Sequence, residues 1–181
     1  MRDENDDVLV RRVLAGDTSA YATLVERYRP TLGRFAVRML SNQADAEDVL
    51  QETFIRAYRS LARCEAGRFH SWLFGILINR CRTHAAQRAR RQHFVSSDEW
   101  TVASAASEPP AAADDEWRSA LQKALEQLPD EQREAFLLKH VEDLSYEEMQ
   151  ELTGVRIPAL KMRVFRAREA LRRNLQERVV D

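Results

Sequence analysis

The chain has 181 residues, enough for one ordinary domain or two small ones. Its 28 Lys and Arg against 29 Asp and Glu leave a formal net charge of −1, which excludes a uniformly basic nucleic-acid coat but not local segregation of charge. Five Gly and five Pro are too few for a sandwich or barrel built on many tight turns, and two cysteines, Cys64 and Cys81, complete neither a disulfide framework nor a structural zinc site.

The N-terminal residues MRDENDDVLV are acidic and hold no apolar core segment, unlike a secretory signal. The longest apolar run, residues 72–78, falls far short of the roughly 20 residues that cross a membrane. A soluble cytoplasmic protein is the expectation.

A first helical body is read over residues 8–93. Asp17, after Gly16, is a candidate N-cap, since its carboxylate can accept from first-turn amides. Leu24, Tyr28, Leu32, Phe35 and Met39 recur every three or four residues, as on one helix face. A second helix carries Val49, Leu50, Phe54, Ala57, Tyr58 and Leu61, and a third Trp72, Leu73, Ile76, Leu77 and Cys81. Residues 94–116, FVSSDEWTVASAASEPPAAADDE, hold no Lys or Arg and no sustained periodicity. They cannot bury enough surface to offset their ordering entropy, and they read as a flexible linker.

A second body is read over residues 117–179. Trp117, Leu121, Ala124, Leu125 and Leu128 mark an amphipathic helix stopped by Pro129. Asp130 is a candidate cap for the next helix, with Ala135, Phe136, Leu138 and Val141. Ser145-Tyr146-Glu147-Glu148 fits a capping box, and Gly154 suits a left-handed C′ position. Pro158 fits the first position of a last helix, with Leu160, Val164, Ala167, Leu171 and Leu175 inward. The expected fold is all-α: two small helical domains on a flexible linker, the C-terminal one a helix-turn-helix domain.

The charges are segregated. Residues 80–91 hold Arg80, Arg82, Arg88, Arg90 and Arg91 and no acid. Residues 156–173 hold Arg156, Lys161, Arg163, Arg166, Arg168, Arg172 and Arg173 against the single acid Glu169. Each run alone fits a solvated helix face. Two together, one on the second helix of a helix-turn-helix, point to phosphate-facing surfaces. Phe69, Trp72 and Phe74 precede the first run, and an aromatic and basic surface can hold unstacked bases, although Trp72 and Phe74 also fit a core. Cys81 and His84 could be half a metal site, but no second half appears, and a buried cysteine with a solvated histidine accounts for them. There is no Gly-rich phosphate loop, nucleophile elbow or His-Glu-x-x-His, so no catalytic residue, metal or cofactor is expected.

Three stretches carry a family resemblance. They are Asp45-Ala46-Glu47-Asp48-Val49-Leu50-Gln51-Glu52-Thr53-Phe54-Ile55-Arg56-Ala57-Tyr58, then Phe69-His70-Ser71-Trp72-Leu73-Phe74-Gly75-Ile76-Leu77-Ile78-Asn79, then Leu128-Pro129 with Leu144-Ser145-Tyr146-Glu147-Glu148 and Phe165-Arg166-Ala167-Arg168-Glu169-Ala170-Leu171. In order and spacing the chain resembles the extracytoplasmic-function sigma factors, the compact group of the bacterial sigma-70 family. The resemblance implies that the first body binds the β′ clamp helices of core RNA polymerase and recognises and opens the minus-ten element. It implies that the second body reads the minus-thirty-five duplex and touches the β flap. It also implies a cognate anti-sigma factor and a chain that is monomeric when free.

On that resemblance the polymerase-binding residues are Asp45, Asp48, Val49, Gln51, Glu52, Phe54, Ile55 and Tyr58. Of Phe54 and Tyr58, four apart, one is expected inward and the other at the interface. The minus-ten residues are Phe69, Trp72, Asn79, Arg80 and Arg82; an amide such as Asn79 both donates and accepts, which suits a base edge. The minus-thirty-five residues are Arg156, Lys161, Arg163, Arg166 and Arg168, though positions 161 and 163 diverge on a helix and cannot share a face. Where many family members read Val-Gly-Thr-Val-Lys-Ser-Arg, this chain reads Ile157-Pro158-Ala159-Leu160-Lys161-Met162-Arg163, without the hydroxyl that could cap the helix. Two alternatives remain at this point: a stand-alone helix-turn-helix regulator, which would dimerise on a palindromic site, and a helical decoy for a regulator that has lost DNA binding.

Overall fold

In the computed structural model the described residues are 4–95 and 113–176. They form eight α-helices and no strand: α1 (Asp6–Leu14), α2 (Thr18–Leu40), α3 (Gln43–Ser60), α4 (Phe69–Val95), α5 (Ala113–Glu126), α6 (Asp130–His140), α7 (Tyr146–Thr153) and α8 (Ile157–Gln176), with a 3₁₀ turn (Leu61–Arg63) after α3. Most of the segment read as a linker, residues 96–112, lies outside the described residues. Its ends do not: α4 runs to Val95 and α5 starts at Ala113.

The first body is α1 to α4. The Asp17 carboxylate accepts from the Ser19 amide at 3.0 Å, as its cap position requires, and Asn42 Oδ1 accepts from the Asp45 amide at 2.9 Å to start α3. Helix α1, capped by Asn5, precedes the first helix that the sequence pattern marks. Its Leu9, Val10 and Val13 are buried, but three apolar positions in nine residues are too short a period to stand out. The core joins Leu24, Leu32 and Phe35 of α2, Val49 and Leu50 of α3, and Leu73, Phe74, Leu77 and Ile78 of α4. Phe35 and Phe74 meet edge-on at 5.1 Å. Each buried Leu or Phe contributes roughly 1.5–3 kcal/mol, so the α2–α3–α4 packing supplies the rigid frame for the surfaces described below.

The second body is α5 to α8, around Leu125, Leu137, Leu138, Met149, Leu160, Val164 and Leu171. Asp130 is not the cap of α6. Pro129 holds that position without a side-chain bond, and Asp130 is the first helical residue, because the fixed φ of Pro129 already ends the extended stretch. The capping box is present as expected: Ser145 Oγ accepts from the Glu148 amide at 3.1 Å, and the Glu148 carboxylate accepts from the Ser145 amide at 2.7 Å. Gly154 ends α7 at φ 71°, the left-handed conformation that glycine adopts freely. Pro158 is the second residue of α8, not the first. The free amide of Ile157 donates to Gln150 Oε1 of α7 at 3.2 Å, so a neighbouring helix supplies the cap that the hydroxyl-free start of α8 lacks.

The two bodies touch. Leu152 of α7 reaches the α4 backbone at Gly75, where an added Cβ would sit 3.6 Å from its Cδ1. Arg133 Nη1 of α6 donates to the Met39 carbonyl of α2 at 2.7 Å.

Candidate polymerase and nucleic-acid interfaces

The acidic helix α3 divides its polar residues between two jobs. Asp48, Gln51, Ile55 and Tyr58 recur at intervals of three and four, so they form one stripe, and all four are exposed. Ile55 and Tyr58 are 43% and 46% exposed, unusual for large apolar side chains with a core available. With Tyr21, Val25 and Arg29 of α2 the stripe lines a groove of about 790 Å³. Tyr21 fixes one wall: its hydroxyl donates to the Phe54 carbonyl at 2.5 Å, its ring meets Tyr58 at 4.9 Å, and burial pushes its phenol up. Of the Phe54–Tyr58 pair, Phe54 packs inward and Tyr58 faces the groove.

The other four candidates on α3 are placed differently. Val49 is core, 2% exposed, and Phe54, 9% exposed, is buried at the base of the groove, which it also lines. Asp45 turns to α4, with His84 Nε2 at 3.5 Å and Arg88 Nη1 at 3.6 Å. Glu52 pairs with Arg80 of α4. Asp45 and Glu52 lie seven apart, two turns along the flank next to α4, so they brace α3 against it instead of projecting from the groove.

On α4, Phe69 is buried against Tyr28 and Trp72, with ring centroids at 5.4 and 6.0 Å. It supports this face and does not present it, which corrects its assignment as a base contact: the first residue of the helix is also the first turn of the core stripe. Trp72 is half-buried and Asn79 exposed. Arg80 is held by Glu52, and its buried Nε has no hydrogen-bond partner. Arg82 is held by Glu134 of α6 through two parallel bonds, Nε to Oε2 at 2.7 Å and Nη2 to Oε1 at 2.6 Å; this charge-assisted pair raises the guanidinium pKa further. Asn79, Arg90 and Arg91 are exposed.

On α8 and at the residue before it, Arg156, Lys161, Arg166 and Arg168 are exposed. The Lys161 ammonium lies 5.5 Å from the centroid of the Tyr146 ring. Arg163 does not join them. It points to the α6 side and pairs with Glu131 at 2.6 Å, the divergence expected two positions along a helix. Met162 and Phe165, 50% and 60% exposed, stand among the cations. The sequence reading passed over them, although their phase is the signal: they fall off the Leu160–Val164–Ala167–Leu171 stripe that packs inward. An apolar group there can meet a thymine methyl in a major groove.

A family model for sigma-70 region 2 matches residues 24–91, and one for sigma-70 region 4 matches residues 118–171. The RNA polymerase sigma-H factor of Pseudomonas aeruginosa is 33% identical, over 96% of this chain and 95% of that protein. The ECF RNA polymerase sigma-E factor of Escherichia coli strain K12 is 32% identical, over 94% of each. The chain belongs to the extracytoplasmic-function sigma factors of the sigma-70 family. As such it directs RNA polymerase to specific promoters in transcription initiation.

Solved structures of sigma factors resemble it along both regions. The sigma factor RpoE of Bartonella quintana, in complex with the anti-sigma factor NepR, superposes with a TM-score of 0.70 at 28% identity, covering 86% of this chain and 96% of that one. CnrH, in complex with the cytosolic domain of CnrY, superposes with a TM-score of 0.67 at 25% identity, covering 95% and 97%. Region 2 thus contains the α2–α3 groove and α4, and region 4 contains the capped α7–α8 pair. Among the described residues no helix is long and apolar enough to cross a membrane, and no group of three or more His, Cys, Asp or Glu is placed to hold a metal ion. Burial, helped by the negative charge of Glu134, pushes the Cys81 thiol up to about 12.

Proposed function

We propose that this sigma factor binds core polymerase through the α2–α3 groove, with Asp48, Gln51, Ile55 and Tyr58 as its contacts and the β′ clamp helices as its partner. Residues 8–93 would also engage the minus-ten element through the exposed face of α4, with Asn79 reading an unstacked base and Trp72 flanking it. Residues 117–179 would read the minus-thirty-five duplex with Arg156, Lys161, Arg166 and Arg168 of α8 and the turn before it, and would touch the β flap. The 94–116 segment would thread toward the RNA exit path. The free chain acts in the cytoplasm as a monomer, is held by a cognate anti-sigma factor, and catalyses no reaction of its own.

One observation carries this reading: the exposed acidic and apolar stripe of α3 and the exposed cationic side of α8 sit on different bodies and face different chemistries. A basic protein helix suits the first, and a phosphate-lined groove suits the second. The test is run-off transcription with sigma-free bacterial core polymerase and fragmented genomic DNA, with the RNA 5′ ends sequenced. Discrete new starts that share two upstream motifs are expected. No new starts together with no core binding in gel filtration would reject the reading, and core binding without starts would favour a decoy.

A further inference from the structure

The acidic start of the chain has no part in the interfaces described above, yet the fold uses it. Asp6 and Asp7 open α1, outside the residues 24–91 that match region 2. Asp7 is half-buried, and its Oδ1 accepts from the backbone amide of Gly67 at 2.7 Å, 60 positions along the chain. Gly67 lies in the loop of residues 64–68 that joins the 3₁₀ turn to α4, and it is exposed. It stands at φ 74°, in the left-handed region that glycine enters freely. Asp6 secures the exit of the loop. Its carboxylate accepts from the Tyr28 hydroxyl and pairs with Arg27 of α2. The Tyr28 ring in turn packs against Phe69 and His70, the first two residues of α4, at 5.4 and 5.7 Å. Leu9 of α1 and Leu61 ahead of the loop are buried, so the helix that carries both acids is itself fixed.

Side-chain packing does not wedge this turn in place: a Cβ built on Gly67 would meet nothing within 4 Å. Its shape is set by the Asp7 bond and by the Arg68 amide, which donates to the Glu65 carbonyl at 3.1 Å. The place of the loop gives that shape a use. The Arg68 carbonyl accepts from the Trp72 amide at 2.9 Å, so the winding of α4 starts there. Arg68, Trp72 and Asn79 follow at intervals of four and seven, on one face of the helix. The Arg68 guanidinium is engaged by Glu151 at 2.9 Å, which leaves the loop backbone with Ala66 and Gly67 as the surface next to Trp72. A base that has left its stack is read by a pocket that fits it closely, and this loop is the wall of that pocket whose shape depends on a single distant side chain.

We infer that Asp7 is a positioning residue for minus-ten reading: by holding the Gly67 amide it fixes the 64–68 loop in the shape that completes the site for the unstacked base. The inference rests on the assignment of Trp72 and Asn79 to that base. Asp7 touches no DNA. It sets the fraction of chains whose loop has the competent shape, and a site that is competent only part of the time binds correspondingly more weakly.

The full chain with core polymerase tests this, on a promoter library randomised across the opened minus-ten element and read by sequencing the run-off transcripts. Asp7→Ala removes the acceptor. Preference for the favoured base over the others should fall about tenfold, the scale of one hydrogen bond to a charged acceptor. Core affinity should hold, since no residue of α1 lines the α2–α3 groove. Asp7→Asn keeps an oxygen for the Gly67 amide without the charge and should restore most of the preference. Gly67→Ala adds backbone strain at φ 74° and no clash, and should lower the preference as Asp7→Ala does.

An Asp7→Ala protein that melts at a lower temperature yet keeps the wild-type base preference overturns the proposal, because Asp7 then serves the fold alone. So does an Asp7→Asn protein no more selective than Asp7→Ala, or a Gly67→Ala protein with the wild-type preference. Asn79→Ala and Trp72→Ala separate this inference from the reading beneath it. If they change the preference and Asp7→Ala does not, the loop alone is refuted. If Asp7→Ala changes it and they do not, the loop stands and the assignment of those two side chains to the base fails.

Discussion

Arg133 is the residue whose loss the structure prices most directly. Its Nε donates to the Leu125 carbonyl at 2.8 Å, and its Nη2 to the Glu126 and Leu128 carbonyls at 2.8 and 3.0 Å. Nη1 reaches the Met39 carbonyl at 2.7 Å. All four acceptors lie at or just beyond the ends of α5 and α2, where carbonyls run out of i+4 partners and carry partial negative charge, although the Leu125 carbonyl also accepts from the Leu128 amide. The side chain is 9% exposed, and burial lowers its pKa. Bonds from a charged donor contribute about 1.5–3 kcal/mol each. The Met39 carbonyl can rehydrate if the regions part, which leaves the three acceptors at the α5 end to set the cost. Arg133→Met keeps the aliphatic stem and strands the Glu126 and Leu128 carbonyls, while the Leu125 carbonyl keeps its bond from the Leu128 amide at 3.1 Å, so about 3 kcal/mol of stability should be lost, the low end of the range for removing one partner from a buried charged contact. Arg133→Lys keeps the charge, but a single nitrogen cannot span a fork of four acceptors, and about half that loss should remain. Urea unfolding followed by circular dichroism measures both. A loss under about 1 kcal/mol for Arg133→Met, near the effect of an ordinary surface change, or equal stability of the Arg and Lys proteins, would refute the reasoning.

Asp48→Arg places a cation in the exposed groove stripe and should weaken core polymerase binding at least about 30-fold, the scale of an interface hot spot, with unchanged helix content; undiminished core affinity in a competition assay would remove Asp48 from the interface. Asn79→Ala should lower permanganate reactivity and base preference at the opened minus-ten site while core affinity holds, and unchanged reactivity would retire Asn79 as a base reader. Ser145→Ala breaks the capping box of α7 and should cost about 1 kcal/mol; since α7 also carries the Gln150 cap of α8, minus-thirty-five duplex affinity should fall with it, and a duplex affinity equal to wild type would separate the two helices. At pH 8 alkylation should proceed at Cys64, which is partly exposed, while the buried Cys81 thiol, pushed up to about 12, should react only on unfolding; mass spectrometry that finds Cys81 labelled first would contradict its burial.

The elements legible in the sequence were those whose cause is local. Asp17, the Ser145 box and Gly154 carry their reasons within a few residues, and each stands where the pattern places it. The core stripes of α2, α3 and α8 were legible because their periods are long. The surfaces were less so, because a helix period gives the phase of a residue and not its neighbour. Nothing within α3 distinguishes Asp45 from Asp48; the difference is that Arg80, His84 and Arg88 of a separate helix lie along one flank only. Phe69 reads as a surface aromatic until Tyr28 of α2 is placed against it. Arg163 and Arg82 read as DNA contacts until α6 supplies Glu131 and Glu134. Each of these partners is distant in sequence, or on the far side of a turn, and only packing reveals it.

These pairings change what the charge segregation means. A chain with net charge −1 that keeps its arginines in two runs needs its acids somewhere, and α3 and α6 use them differently. On α3, Asp45 and Glu52 hold α4 beside the groove, which leaves Asp48 and Gln51 for a partner. On α6, Glu131 turns Arg163 away from the exposed side of α8, and that selects which cations remain there: Lys161, Arg166 and Arg168. Glu134 does the same to Arg82, but across the boundary between the two regions. The two arginines were alike in sequence; acids of one helix, α6, hold both, Arg163 from within region 4 and Arg82 from across the boundary.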